Sequence, residues 1–439
     1  MMQFFRRYLV VWPALLTPLL CHATAIIPAG MGVNIHFLGG HTHDLHLIAQ
    51  AGLKYIRTDC TWAEIEKKKG EYEWSAQDQL IAHATAEGLR LIYVLDYSNP
   101  LYEPDVPGKR RVWVPHSAPI HPDSIAAFAR WSAAAAVRFK QAHVIFEIYN
   151  EPNGAFWPPK ADAIKYAELA MAAAQAIREA DPQAVIMAPA LATTGLGEID
   201  LPFLEQSFRR GLLENLDGVS IHPYRRLVPE TAGGDYQKVR QLMDHFAPVR
   251  RQGKIALIDS EWGYSSFPKE VSEEIQACYI VRQRLNDIMS GVPISIWYDW
   301  KDDGADPNER EHHFGLINYQ GQAKPAYRLI QTFNLELAGY HAWGRYISAD
   351  TNEYLVLFKN DSGSSKMVVW TAGSPHHELV SLSIRPSSTI QGHHSDGSEF
   401  TIHFIDRRLY SNLGDAPDYV DLGTNCPDSG RWQRINGGF

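Results

Sequence analysis

Two short runs carry the acids that could do covalent chemistry. Phe146-Glu147-Ile148-Tyr149-Asn150-Glu151-Pro152-Asn153 is an apolar stretch that delivers an amide and a carboxylate into a loop stopped by proline, and Leu257-Ile258-Asp259-Ser260-Glu261-Trp262-Gly263 ends in the same way. If both runs are strands of one parallel barrel, Glu151 and Glu261 stand at the rims of nearly opposite strands and face each other across its mouth. One carboxylic acid can then protonate a leaving oxygen while a carboxylate attacks the carbon it leaves, which is the chemistry of acetal cleavage. Such an acid has to hold its proton near neutral pH, and the negative charge of its partner helps it do so. The bland alternatives are a helix-capping carboxylate beside Pro152 and a solvated loop acid at 261.

The elements that must position this pair are legible as an alternation. Apolar, β-branched or aromatic runs occur at Met31–Phe37, Tyr55–Cys60, Arg90–Tyr97, Val144–Glu151, Val185–Leu191, Gly218–Tyr224, Ile255–Trp262 and Ile294–Trp300. Helical patterns fall between them at Asp44–Ala51, Ala76–Glu87, Pro122–Lys140, Ala161–Ala180, Leu201–Gly211, Tyr236–Arg251 and Ser272–Ser290, with a last one near Pro325–Asn334. Eight such units predict a (β/α)8 TIM barrel over residues 26–335. A doubly wound sheet is the alternative, but Phe37-Leu38-Gly39-Gly40-His41 lacks the spacing of a phosphate-binding turn. After the last helix, Glu353–Lys359, Lys366–Trp370, Glu378–Ile384 and Glu399–Ile405 alternate between turn signals, which predicts a smaller β-sandwich over 336–439.

Asn150-Glu151-Pro152 at the end of strand four and Glu261 at the end of strand seven resemble the retaining glycoside hydrolases of clan A. The longer runs around them, with Trp297-Tyr298-Asp299-Trp300 and Lys324-Pro325-Ala326-Tyr327, are similar to glycoside hydrolase family 39 and its relatives, which include endoglycosidases of biofilm exopolysaccharide. The resemblance implies Glu151 as acid/base, Glu261 as nucleophile, and Asn150 on the 2-hydroxyl of the cleaved sugar. It also implies that Arg57, His222 and Tyr224 keep the nucleophile ionised or line the sugar subsite, and that Trp297 floors it. Arg57 has a plainer reading as a barrel-interior ion pair, since Glu147 and Asp259 share strand parity with Glu151 and Glu261. His36, at the end of strand one, is either a substrate contact or a satisfied core histidine. Tyr102, Trp113, Trp157, Trp262, Tyr264 and Trp300 fall near the rim loops, where aromatic faces could line a groove for sugar rings.

Other readings compete. A metal-dependent barrel hydrolase could use His41-Thr42-His43, His222 and Asp299, although strand five carries no His. An exo-acting, xylosidase-like enzyme of the same clan and a non-catalytic polysaccharide-binding or assembly protein are the remaining two. No cofactor motif and no metal are expected. The chain has 439 residues with a formal charge of −9, which argues against nucleic acid or an anionic membrane as partner and leaves a polysaccharide or oligosaccharide as the expected one. Arg6 and Arg7 before the apolar stretch Tyr8 to Leu20 and Ala23-Thr24-Ala25 read as an export signal over residues 1–25, so the protein is expected in the periplasm or outside the cell. Inner-membrane association follows only if the segment stays uncleaved. Cys60, Cys278 and Cys426 then remain, enough for one bridge and an odd thiol.

Overall fold

The structure, a computed structural model, describes residues 27–104, 117–195, 197–380, 390–402, 404–405, 408–424 and 432–435. The expected export segment, Trp113 and Cys426 lie outside these residues. Eight parallel strands form the barrel: β1 (Gly30–Asn34), β2 (Tyr55–Thr61), β3 (Arg90–Asp96), β4 (Ile145–Ile148), β5 (Val185–Thr194), β6 (Gly218–His222), β7 (Ala256–Trp262) and β8 (Ile294–Trp297). Each pairs with its sequence neighbours, and β8 returns to β1 through Ile296↔Gly32, so no edge is left open.

The eight principal helices that wrap it are α1 (Thr42–Gln50), α2 (Ser75–Ala86), α3 (Pro122–Phe139), α4 (Ala163–Ala180), α5 (Leu201–Arg209), α6 (Ala232–Phe246), α7 (Glu273–Met289) and α8 (Pro325–Glu336). Their starts are written locally. Asp162 accepts from Ile164 N and Lys165 N to begin α4, Ser272 accepts from Ile275 N to begin α7, and α3 and α8 open on a proline whose missing N–H is no loss there. Along α3, Ala127, Phe128, Trp131, Ala135 and Phe139 recur every three or four residues and bury one face against the barrel.

Strand alternation decides which side chains reach the barrel's interior. Tyr55, Ile92, Ile145, Val185, Met187, Ile258, Ile294 and Ile296 fill its lower layer. Gly32 is obligatory in that layer, because a Cβ there would stand 2.5 Å from the Tyr55 carbonyl oxygen and 2.7 Å from Ile296. A one-residue register shift in β7 pairs Asp259 with Ser295 but Trp262 with Trp297. It corrects the parity expected for Asp259, which lies against α7, accepting from Gln283 Nε2 at 3.2 Å, while Glu261 is swung to the mouth.

The C-terminal region is an antiparallel, sandwich-like β structure. Seven strands run in the order Glu399–Ile402, Ile390–His393, Asp418–Gly423, Ser365–Thr371, Glu353–Asn360, Tyr340–Tyr346, Trp432–Arg434, and a three-stranded sheet accompanies them. Leu355, Leu357, Met367 and Val369 turn to its own core, whereas Val356, Phe358, Val368 and Trp370 on the opposite face join the core shared with the barrel. Trp370 donates its indole N–H to Glu230 at 2.7 Å, and Arg282 of α7 holds the same carboxylate with two bonds of 2.7 and 2.8 Å. Cys60 and Cys278 are buried, free thiols on β2 and α7. No helix of the described residues is long and apolar enough to cross a membrane.

Candidate active site

Glu151 leaves β4 through a backbone that few residues adopt. Tyr149 and Glu151 have φ of 70° and 47°, and Ala190 opposite has φ of 52°. Left-handed non-glycine residues cost of order 1–3 kcal/mol each and persist only where surroundings dictate them. Here the Glu151 N–H donates to Ala190 O at 3.1 Å, the Ala190 N–H to Ser220 Oγ at 2.8 Å, and the Tyr149 N–H to Leu95 O at 3.0 Å. The Tyr149 hydroxyl donates to Phe156 O, and its ring packs edge-on to Trp157. The loop is thus pinned from β3, β5 and β6 before its carboxylate is used.

Arg57 of β2 is the hub beneath the pair. Its Nε donates to Glu147 at 2.6 Å, Nη1 to Glu261 Oε2 at 2.6 Å and to Asn34 Oδ1 at 3.2 Å, and Nη2 to Asn150 Oδ1 at 2.8 Å. Both readings of Arg57 therefore hold together: it is a barrel-interior ion pair with Glu147 and a neighbour of Glu261. Burial disfavours its charge, but Glu147 and Glu261 outweigh that and hold the guanidinium ionised. With the Asn150 oxygen accepting from Arg57, what the amide has left to offer a ligand is its N–H groups.

The same logic fixes His222 at the end of β6. An arginine N–H only donates, so the 3.4 Å contact from Arg57 Nη2 makes His222 Nε2 an acceptor. The ring proton then sits on Nδ1 and is donated to Glu151 Oε1 at 2.8 Å. Glu261 receives the Tyr224 hydroxyl on Oε1 at 3.0 Å and Asn34 Nδ2 on Oε2 at 3.3 Å. Burial raises the Glu261 carboxyl, yet nearby positive charge and hydrogen bonds hold it below the ordinary glutamate value. The charge of Arg57 and the Tyr224 hydroxyl contribute to that effect. Tyr224 itself is pushed well up, by burial first and then by Glu261, so it stays a donor. One carboxylate oxygen of Glu151 lies within 4.8 Å of one of Glu261. The two side chains are 19% and 12% exposed, accessible from one cleft.

Sequence reasoning missed Asn34, which continues the inward parity of Gly32. It also misassigned Trp297. Trp297 lies on the outward face of β8 with Ser295, is fully buried, and donates its indole N–H to Phe314 O at 3.1 Å, so it floors no subsite. The next residue, Tyr298, has the inward parity and is partly exposed at the mouth. Of the rim aromatics, Trp157, Trp262, Tyr264 and Trp300 are buried and serve packing, and Tyr102 stacks on Trp62. The aromatic faces partly open at the cleft are Tyr97, stacked on Phe156 at 5.7 Å, with Tyr224 and Tyr298.

Beside Arg57 a second acid pair lies on β2 and at the end of β3. Asp59 is accessible to solvent, whereas Asp96 is fully buried with no donor on either oxygen. Burial and then the charge of Asp59 push Asp96 well up, so it is the protonated partner. The metal-hydrolase arrangement does not assemble. His41 stacks on Phe37 and contacts Asp44, and among the described residues neither His41 nor His43 joins His222 or Asp299 in a three-ligand cluster. His36 is half exposed, 3.6 Å from Asp299, and is not a core histidine.

The family profile for cellulases, glycosyl hydrolase family 5, matches residues 28–303. No curated protein matches the sequence. Among solved structures, a family 39 glycoside hydrolase from the gut symbiont Bacteroides cellulosilyticus WH2 superposes with a TM-score of 0.77 at 22% identity, covering 90% of this chain and 81% of that one. A family 39 β-xylosidase from Caulobacter crescentus gives 0.61 at 18% identity over 91% and 98%. A family 30 endoxylanase from Clostridium papyrosolvens C71 gives 0.58 at 14% identity over 90% and 97%. At these identities the structures share the fold.

Proposed function

The chain belongs to the cellulase (glycosyl hydrolase family 5) family, within clan A of the glycoside hydrolases, and from that footing we propose that it is a retaining, endo-acting hydrolase of a β-linked or mixed bacterial exopolysaccharide. Glu151 is the acid/base and Glu261 the nucleophile. The observation that carries the retaining assignment is the close approach of the two carboxylates, within 4.8 Å oxygen to oxygen. Retaining pairs stand about 5–5.5 Å apart, whereas inverting pairs need about 6.5–9.5 Å to admit a water.

The hydrogen bonds assign each atom a task. His222 occupies Glu151 Oε1 as a donor, so the acid's proton resides on Oε2 and points to the leaving oxygen. Glu261 Oε2 is held by Arg57 and Asn34, which leaves Oε1, carrying only the Tyr224 hydroxyl, to attack the anomeric carbon. The Glu261–carbon bond forms as the glycosidic bond breaks and the proton passes from Glu151 to the departing sugar. Esterification discharges Glu261. Glu151, now ionised, takes a proton from a water whose oxygen bonds to the anomeric carbon as the Glu261–carbon bond breaks, which releases the sugar with its starting configuration and restores both carboxyl groups. The Asn150 amide donates to the 2-hydroxyl, a bond that strengthens as positive charge builds at the neighbouring carbon.

Internal cleavage is supported by the partly open aromatic faces of the barrel mouth, Tyr97 stacked on Phe156 after β3 and β4 and Tyr298 after β8. It is supported also by the likeness of the Asn-Glu-Pro run and its flanks to PslG, an endoglycosidase of biofilm exopolysaccharide. The N-terminal segment suits a periplasmic or secreted protein, tested by N-terminal sequencing of exported material. The decisive assay incubates purified protein with β-linked oligosaccharides and bacterial exopolysaccharides, following chain length and the anomeric signal by NMR. Shortened polymer with retained configuration is expected. Release of end sugars alone points to the exo-acting reading, inverted product contradicts the mechanism, and an effect on polymer that survives Glu151→Gln points to binding without catalysis.

A further inference from the structure

Beyond the acid pair, one cluster at the barrel mouth has ligand geometry of its own. His36 lies two residues past β1, Asp299 two past β8, and Asp303 farther along the same loop. A ring nitrogen of His36 and a carboxylate oxygen from each aspartate lie within 4.8 Å of one another, and His36 Nε2 is 3.6 Å from Asp299 Oδ2. Atoms bound to one ion at about 2.0–2.2 Å in tetrahedral geometry stand roughly 3.3–3.6 Å apart, so little movement separates this arrangement from a coordination sphere.

An independent observation points to a ligand there. Asp299 is fully buried, and neither of its carboxylate oxygens has a hydrogen-bond partner among the described residues. A buried acid facing a second acid and no donor is costly, and a shared cation removes both problems. The nearest fixed charge is already engaged: Lys324 Nζ bonds Asp302 at 3.2 Å, Ser266 Oγ at 3.1 Å and the His313 carbonyl at 3.3 Å. Asp302 is unavailable as a further ligand for the same reason, since the Gly315 N–H also occupies its Oδ1 at 2.8 Å. Backbone bonds from Asp299 N to Phe314 O and from Leu316 N to Asp299 O fix the loop that presents it. His36 and Asp303 are exposed, giving an ion a route in.

We propose that His36, Asp299 and Asp303 bind a divalent cation of the zinc class, which ties the loop after β8 to the end of β1 along one wall of the cleft. An imidazole nitrogen with two carboxylates suits such an ion, whereas calcium and magnesium favour oxygen ligands alone. The inference does not depend on the glycosidase reading. Its test is titration of the chelator-treated full chain with zinc(II), and with calcium(II) for contrast, by calorimetry and by metal content after desalting.

About one zinc per chain and no retained calcium are expected, with zinc binding weakened roughly 10-fold or more in Asp303→Asn and in His36→Gln. These two exposed positions are chosen because Asp299→Asn alters a buried site and could fail to fold. Failure to retain zinc, or unchanged binding in both variants, overturns the proposal. So does zinc that is lost in Glu151→Gln but kept in Asp303→Asn, which places the ion on the group Glu151, His222 and Glu261 instead.

Discussion

At the scale of single residues, the site works by assigning donors and acceptors around one guanidinium. Arg57 occupies the oxygens of Asn150 and Asn34 and the Nε2 of His222, and so dictates what each of these groups offers the cleft. Glu151→Gln is expected to lower kcat about 10²–10⁴-fold on substrates with poor leaving groups and much less on activated aryl glycosides, which need no proton. Equal losses on both would assign Glu151 another task. Because Glu261 is held below the ordinary carboxylate range, it stays ionised into acidic pH, and the acid limb of kcat/KM should lie below that of an ordinary glutamate. In Tyr224→Phe that limb moves upward toward the ordinary value; a limb that stays put removes Tyr224 from the group stabilising the carboxylate. The sign for stability is the same: Glu261 contributes above its unfolded value, and the contribution is lost as pH falls through its lower folded value. Asp96 behaves oppositely, as the protonated member of its pair, so Asp96→Asn is nearly isosteric with it and should change unfolding free energy by less than about 1 kcal/mol. A loss above about 2 kcal/mol in urea unfolding would show that Asp96 is ionised.

At the scale of elements, one bulge and one glycine decide the site's geometry. The register shift in β7 sends Asp259 to α7 and Glu261 to the mouth from the same strand, a result that simple alternation cannot give. Gly32 lets β1 pass close to Tyr55 and Ile296, which allows Asn34, two residues on, to reach Arg57 and Glu261. Gly32→Ala forces a Cβ against backbone and should cost about 1–3 kcal/mol, measured by denaturant unfolding. A neutral result would mean that β1 can retreat without loss. The strand runs and helix patterns were readable because each is a local property: period two or 3.6, proline at a helix start, aspartate or serine at a cap. Strand ends were less readable. The run Ile294–Trp300 looked like one strand, but β8 stops at Trp297, and the residue that faces the mouth is Tyr298 rather than Trp297. In the C-terminal region Tyr340–Tyr346 and Asp418–Gly423 went unread, because a Gly- and Arg-containing strand and an alternation of acids with apolar residues carry weak local signals.

At the scale of the whole molecule, the C-terminal sheet is buried on both faces, one by its own core and one by the barrel. Its strands Glu353–Asn360 and Ser365–Thr371 therefore read as near-continuous apolar runs, unlike a sheet with one wet face. The Trp370–Glu230–Arg282 connection crosses this interface with Arg282 and Glu230 both buried. Glu230→Ala leaves a guanidinium buried without its partner and should destabilise by about 3–5 kcal/mol. The shared core predicts one cooperative thermal transition for barrel and sheet, and two separated transitions by calorimetry would contradict the docking.

The barrel and the acids that end β4 and β7 were legible in the chain, because motif and periodicity are written in neighbouring residues. Which groups surround them follows from how the strands meet. Asn34, Arg57, Glu147, Asn150, His222 and Glu261 come from five different strands, and their bonds depend on barrel closure and register. The pairing of His36 with Asp299 is of the same kind, since β1 and β8 meet only when the ring closes. Local chemistry selects a residue's type, but the partner that gives it a proton, a charge or an ion is chosen by the distance that the fold imposes.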